Sequence, residues 1–187
     1  MTNPVDRRSV AQPRAGAVVL HPHPRFGGDR HHPVVAAIFE ALPSAGFDAV
    51  RFDFRLAADP GDDVELGRRD AGAALEALRK VDPDLALAVI GYSFGAAVGI
   101  SVEHDGIRAR IAIAPPFGVV PVNRAGNEPT LVLVAAHDQF APPEVVAPLV
   151  VAWPDTTLEI IESTDHFLVG RAASIAARVV AWLDEIV

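Results

Sequence analysis

Six short apolar runs, separated by longer stretches of helical period, recur from residue 15 to the end of this 187-residue chain: AGAVVL (15–20), FDAVRFDF (47–54), LALAVI (85–90), IRARIAIA (107–114), TLVLVAA (130–136) and TLEIIE (157–162). Such alternation predicts α/β architecture: a three-layer α/β/α sandwich around a sheet of about six parallel strands. Four of the runs are nearly all apolar, as expected of strands covered on both faces. FDAVRFDF alternates instead, with Phe52 and Phe54 on one face and Arg51 and Asp53 on the other, which suits an edge strand or its neighbour. Residues 1–14 read as an N-terminal extension, and residues 15–187 as one domain.

The segments between the runs carry helix signals. Asp62 or Asp63 can cap a helix with Ala71, Ala74, Leu75 and Leu78 on one face, stopped by Asp82-Pro83. Pro33 opens a second helix that Gly46 closes, Pro43 implying a kink or an early end. A last helix from about Arg171 lines up Ile175, Val179, Trp182, Leu183 and Ile186. Proline and glycine cluster just after predicted strands, in HPHPRFGG (21–28), ADPGDD (58–63), APPFGVVPVNRAGNEP (114–129) and FAPPE (140–144). In an open α/β sheet those loops build the ligand site.

One strand-to-helix junction carries specific chemistry. Gly91-Tyr92-Ser93-Phe94-Gly95 follows LALAVI and precedes the small-residue helix GAAVGISVEH (95–104). In a G-x-S-x-G turn the serine is pushed out of the sheet, and side chains two residues to either side would collide with neighbouring strand and helix. A glycine-rich turn without chemistry is the bland alternative. A nucleophilic serine needs a base, and the base an orienting acid. TLVLVAA is followed by His137-Asp138 and TLEIIE by Asp165-His166, so Ser93, Asp138 and His166 stand in the order that this elbow requires. Asp165 competes with Asp138 as the acid, but as the chain neighbour of His166 it has difficulty turning back onto the ring. His137 and His104 are rival bases; His104, late in the helix after the elbow, reads as a solvated residue.

The backbone N–H of Phe94, next to the nucleophile, is one candidate oxyanion donor. The second is sought in HPHPRFGGDRHH (21–32), where Pro22 and Pro24 cannot donate and His23, Arg25 and Phe26 remain. Position favours His23, in a loop stiffened by its prolines. The four histidines of this loop (His21, His23, His31, His32) also raise a metal site, with Asp29 near, but no H-E-x-x-H helix accompanies them. The expectation is no metal and no cofactor.

Composition narrows the remaining classes. With no cysteine there is no disulfide, thiolate metal site or cysteine nucleophile. A net charge of -8 without a basic run argues against nucleic acid and anionic membranes. No run approaches the roughly 18 apolar residues of a membrane span, and the polar first 14 residues lack the apolar block of a secretory signal, so the expected compartment is the cytoplasm.

The elbow GYSFGA, the HPHP-x-x-GG loop, the aspartate with Pro142 four residues on, and DHFLVGR near the C-terminus together resemble the α/β-hydrolase superfamily, and within it the small, lidless bacterial hydrolases related to dienelactone hydrolase and the CocE/NonD peptidase group. The resemblance runs from about residue 15 to the end. It implies Ser93 as nucleophile, Asp138 as acid, His166 as base, and Phe94 and His23 as oxyanion donors. It departs in two places: the superfamily usually begins with two more strands, whereas residues 1–14 leave room for one short strand; and the F-R-G-x-G-x-S-x-G loop of relatives is replaced after Phe54-Arg55 by LAADPGDD.

The activity implied is hydrolysis of small ester or thioester (acyl) substrates through an acyl-enzyme. About fifteen residues between Ala114 and Thr130 are too few for a lid domain, so an open site for small-molecule substrates is expected, and an exposed sheet edge is compatible with a homodimer. Acidic residues 59 to 65 near the rim disfavour strongly anionic substrates. The rival readings are a non-catalytic binding or scaffold protein on the same fold, and metal-dependent chemistry at the histidine-rich loop.

Overall fold

A computed structural model describes residues 5–120 and 122–187; residues 1–4 of the N-terminal extension lie outside the described residues. The strand over residues 15–20 is buried throughout, because successive residues alternate between two covered faces. In β2 (Ala15–Leu20), Ala15, Ala17 and Val19 enter one core while Val18 and Leu20 enter the other. The remaining strands are β1 (Val5–Arg8), β3 (Phe47–Phe52), β4 (Leu87–Tyr92), β5 (Ile107–Ile113), β6 (Thr130–His137) and β7 (Thr156–Asp165). The seven-stranded sheet runs in the order β1-β3-β2-β4-β5-β6-β7. All neighbours are parallel except β1, which pairs antiparallel with β3.

The one short strand for which the first fourteen residues leave room is thus β1, and FDAVRFDF lies one strand in from the edge. The charges of β3 are what β1 holds. Asp6 stands opposite Arg51 in the ladder and accepts a 2.9 Å hydrogen bond from it, while Arg7 and the Val10 N–H donate to Asp48, each at 2.7 Å. Opposite charges directly across an antiparallel pair stabilise it. Arg51 also lies 4.3 Å above the ring of Phe39.

Helices α1 (Pro33–Ala41) and α5 (Ala172–Ile186) pack on one face. Helices α2 (Asp63–Arg79), α3 (Phe94–Ser101) and α4 (Pro143–Val150) cover the other. Helix α1 opens on Pro33 and passes at Leu42 into a short 3-10 turn that contains Pro43, so the proline ends the regular helix early. Asp62 occupies the cap position of α2 without a side-chain bond, and Asp63 turns its carboxylate away to other partners, so neither caps the helix. The stripe of α5 buries Ile175, Val179, Trp182 and Leu183 but leaves Ile186 exposed at the end.

Two features differ from expectation. Helix α3 stops at Ser101, so His104 sits in the following loop, with its side chain only 6 % exposed and Nε2 3.2 Å from Glu76; it is not a solvated helix residue. Strand β7 runs on to Asp165, with a register irregularity against β6 after Ala135 and a positive φ at Ser163. The chain bends there rather than leaving the sheet, which delivers His166 at the strand's end. Between β5 and β6 no helix or strand intervenes among the described residues, and none of the described helices is long and apolar enough to cross a membrane.

Candidate active site

The loops after β2, β4, β6 and β7 meet above the carboxyl ends of the strands, the usual ligand position of an open α/β sheet. Ser93 lies between β4 and α3 with φ 55° and ψ -119°, a conformation that L-residues rarely hold. The flanking glycines make it attainable. A Cβ on Gly91 would come within 2.1 Å of the Gly95 carbonyl oxygen, and one on Gly95 within 2.4 Å of the Leu20 carbonyl oxygen. Strand, turn and helix therefore approach more closely than any side chain permits, and the serine hydroxyl is held out of the sheet.

Ser93 Oγ is 2.9 Å from His166 Nε2, and His166 Nδ1 is 2.8 Å from Asp138 Oδ2. An ionised carboxylate only accepts, so Nδ1 carries the proton toward Asp138 and Nε2 is left to accept from the serine hydroxyl. Asp138 is buried, and its Oδ1 accepts from the N–H groups of Phe140 and Ala141 at 2.9 and 3.0 Å. Burial works to raise this carboxyl, but the hydrogen bond from His166 and the two backbone donors outweigh it and hold it below the ordinary aspartate value.

The histidine backbone is held from two sides. Its N–H donates to Gln139 Oε1 at 3.2 Å, and its carbonyl accepts from the Tyr92 hydroxyl at 2.9 Å. Burial pushes the Tyr92 phenol well above its usual range, so it stays a proton donor. The ring of Phe140 meets the imidazole edge to face at 4.7 Å.

The structure separates the rival residues. Asp165 is exposed and accepts from Phe167 N–H, while His137 is exposed and stands opposite Asp165 in the ladder. Adjacent residues at the end of a strand point to opposite sides, so His166 turns inward where Asp165 turns out. His104 lies beside Glu76 in the loop before β5.

Phe94 begins α3, where a first-turn N–H has no acceptor within the helix. His23 packs against the elbow, its ring centroid 4.4 Å from that of Phe94. Both residues line one cleft of about 320 Å³ with Ser93 and His166.

Sequence reasoning missed what fixes the loop after β2. His21 is buried; its Nδ1 donates to the Pro22 carbonyl at 2.6 Å and its Nε2 accepts from Phe54 N–H at 2.9 Å. Arg25 donates to Asp63 at 2.6 and 3.1 Å, and Asp63 also accepts from Ala57 N–H. The Arg25 hydrogen bond is the main influence holding the Asp63 carboxyl down, and it neutralises the most buried acid of the 59–65 segment. His23 Nδ1 accepts from Arg25 N–H, and His32 Nδ1 from Val34 N–H at the start of α1. His21, His23 and His32 thus each hold a separate backbone group, His23 Nε2 also lies 3.3 Å from Asp63 Oδ2, and no cluster of three metal-binding side chains occurs among the described residues.

Burial lowers the pKa of His21, His23 and His32 alike. A histidine depressed in the folded state contributes stability that is present above the unfolded value near 6.5 and is lost as pH falls toward the folded value. The melting temperature should therefore hold steady from pH 8 to 7 and decline below about pH 6.5, well before carboxylates titrate. Thermal melts from pH 8 to 4 check this; a profile flat down to pH 5 would contradict it.

No protein-family model matches the sequence. An uncharacterized protein of Rickettsia prowazekii is 32 % identical over 110 residues, 56 % of this chain and 46 % of that protein. The matched segment thus spans less than half of that relative's length. Among solved structures, an α/β-hydrolase candidate of unknown function from Agrobacterium tumefaciens superposes with a TM-score of 0.87 at 25 % identity, covering 98 % of this chain and 90 % of that one. An α/β serine hydrolase without a lid from Xanthomonas campestris superposes with a TM-score of 0.78 at 28 % identity, covering 95 % and 87 %.

Proposed function

Because the chain is a member of the α/β-hydrolase superfamily, we propose that it is a serine hydrolase of carboxylesterase or thioesterase type acting on small acyl substrates. The observation that carries this is the continuous chain Ser93 Oγ, His166 Nε2, His166 Nδ1, Asp138 Oδ2, with links of 2.9 and 2.8 Å. Ser93 attacks the substrate carbonyl and its proton passes to His166 Nε2, while Asp138 stabilises the imidazolium. The N–H groups of Phe94 and His23 stabilise the oxyanion. Collapse of the tetrahedral intermediate breaks the bond to the alcohol or thiol, which leaves with the proton from His166. Water then gives His166 a proton, attacks the acyl-serine, and releases the carboxylic acid and free Ser93. No step requires a cofactor.

A fluorophosphonate tests the activation of Ser93 directly, since it captures only serines whose proton a base can accept. Intact mass should show one adduct per chain, mapped to Ser93. A folded protein that stays unmodified would leave the binding-protein reading in its place.

A further inference from the structure

The cleft over Ser93 has a one-sided chemistry. Apart from the imidazoles, the residues that line it include no Asp, Glu, Lys or Arg among the described residues. Its walls are chiefly aromatic and aliphatic. Phe26, Val119, Phe140 and Phe167 line it while 88 %, 62 %, 47 % and 53 % exposed. Large apolar side chains gathered around a reactive hydroxyl and open to water mark a surface awaiting an apolar ligand.

The cation nearest in sequence, Arg25, is already committed to Asp63 and to the Ala57 carbonyl at 2.7 Å. His23 and His32 are held toward the neutral form by burial, so neither offers a standing positive charge. The chain's net charge of -8 adds to the barrier for anions. At about 320 Å³ the cleft has the volume of roughly ten waters at ~30 Å³ each, enough for a short acyl chain or one aromatic ring.

We propose that this site selects uncharged esters with a small apolar acyl or aryl moiety, and rejects esters that carry a carboxylate on either side of the scissile bond. The inference rests on the serine-hydrolase reading above. An anionic substituent entering this cleft loses hydration and finds no partner, whereas a methyl or phenyl group in its place buries against the aromatic walls. The acid formed by turnover meets the same exclusion, which favours its release.

Two matched pairs test the selectivity: phenyl butyrate against monophenyl succinate, with the charge on the acyl side, and 4-(methoxycarbonyl)phenyl butyrate against 4-carboxyphenyl butyrate, with the charge on the alcohol side. In both pairs the neutral ester should have a kcat/KM about 100-fold higher, after correction for leaving-group reactivity. Val119→Arg, at an exposed position of the wall, should narrow the gap by about tenfold by supplying the missing cation. Pairs turned over alike, or a preference for the anion, in protein that forms the phosphonate adduct would overturn the selectivity while leaving the hydrolase standing. An adduct without turnover of either neutral ester would overturn it as well. Failure of both labelling and turnover would instead remove the serine-hydrolase reading on which it rests.

Discussion

Ser93→Ala should reduce ester turnover by about 10⁶-fold and abolish the phosphonate adduct, while the protein keeps its far-UV spectrum and melts close to wild type. The size follows from the geometry. In the proposed mechanism the hydroxyl receives the acyl group, and the imidazole that would take its proton lies 2.9 Å away. Removing it costs the fold little, because the side chain is partly exposed and its hydrogen bond runs to the side chain of His166. The strained φ of 55° is held by close packing of Gly91 and Gly95, which the substitution leaves untouched. Turnover surviving within tenfold of wild type would place the nucleophile elsewhere.

Asp138→Asn should lower kcat by about 10⁴-fold. The asparagine carbonyl can keep the hydrogen bonds from Phe140 and Ala141, so the loop should stay in place. Its amide N–H₂ then faces His166 Nδ1, which must become an acceptor and send the ring proton to Nε2. Nε2 would present a donor to Ser93 and could no longer take its proton. Asp165→Asn should leave kcat within about twofold of wild type, because that carboxylate is exposed and accepts from Phe167 N–H. Steady-state kinetics of the two variants on one neutral ester decide between the carboxylates. Comparable losses in both, or a loss confined to Asp165→Asn, would reassign the acid.

That pair of aspartates shows where local reading ends. Ser93, Asp138 and His166 were legible because each follows a strand, and parallel strands bring their carboxyl ends to one edge whatever the detailed register. The sequence favours Asp138 over Asp165 only through the chain neighbourhood of Asp165 and His166; the geometry adds that β7 continues to an exposed Asp165 while Asp138 Oδ2 lies 2.8 Å from His166 Nδ1. The extra length of β7 left no clear mark in the sequence, since Ser163, Thr164 and Asp165 read as a polar loop after TLEIIE. His104 misled in the opposite way, being placed by helix periodicity in a helix that ends three residues earlier.

The alternation of apolar runs, the glycines of the elbow and the order of serine, acid and histidine were determined by the sequence alone, because strand period, steric freedom and chain order are local properties. Tertiary structure alone decided which charges are buried and paired. Arg25 with Asp63, Asp6 with Arg51 and Arg7 with Asp48 join residues 38 to 45 positions apart. Arg110, at 1 % exposure, sits in a run that reads as apolar strand, yet donates to the Gly99 and Val102 carbonyls at the end of α3 and to Glu128. A charged side chain viewed along the chain carries no sign of its partner and looks solvated; only packing of the sheet brings together the opposite charge and unpaired carbonyls that make its burial tolerable.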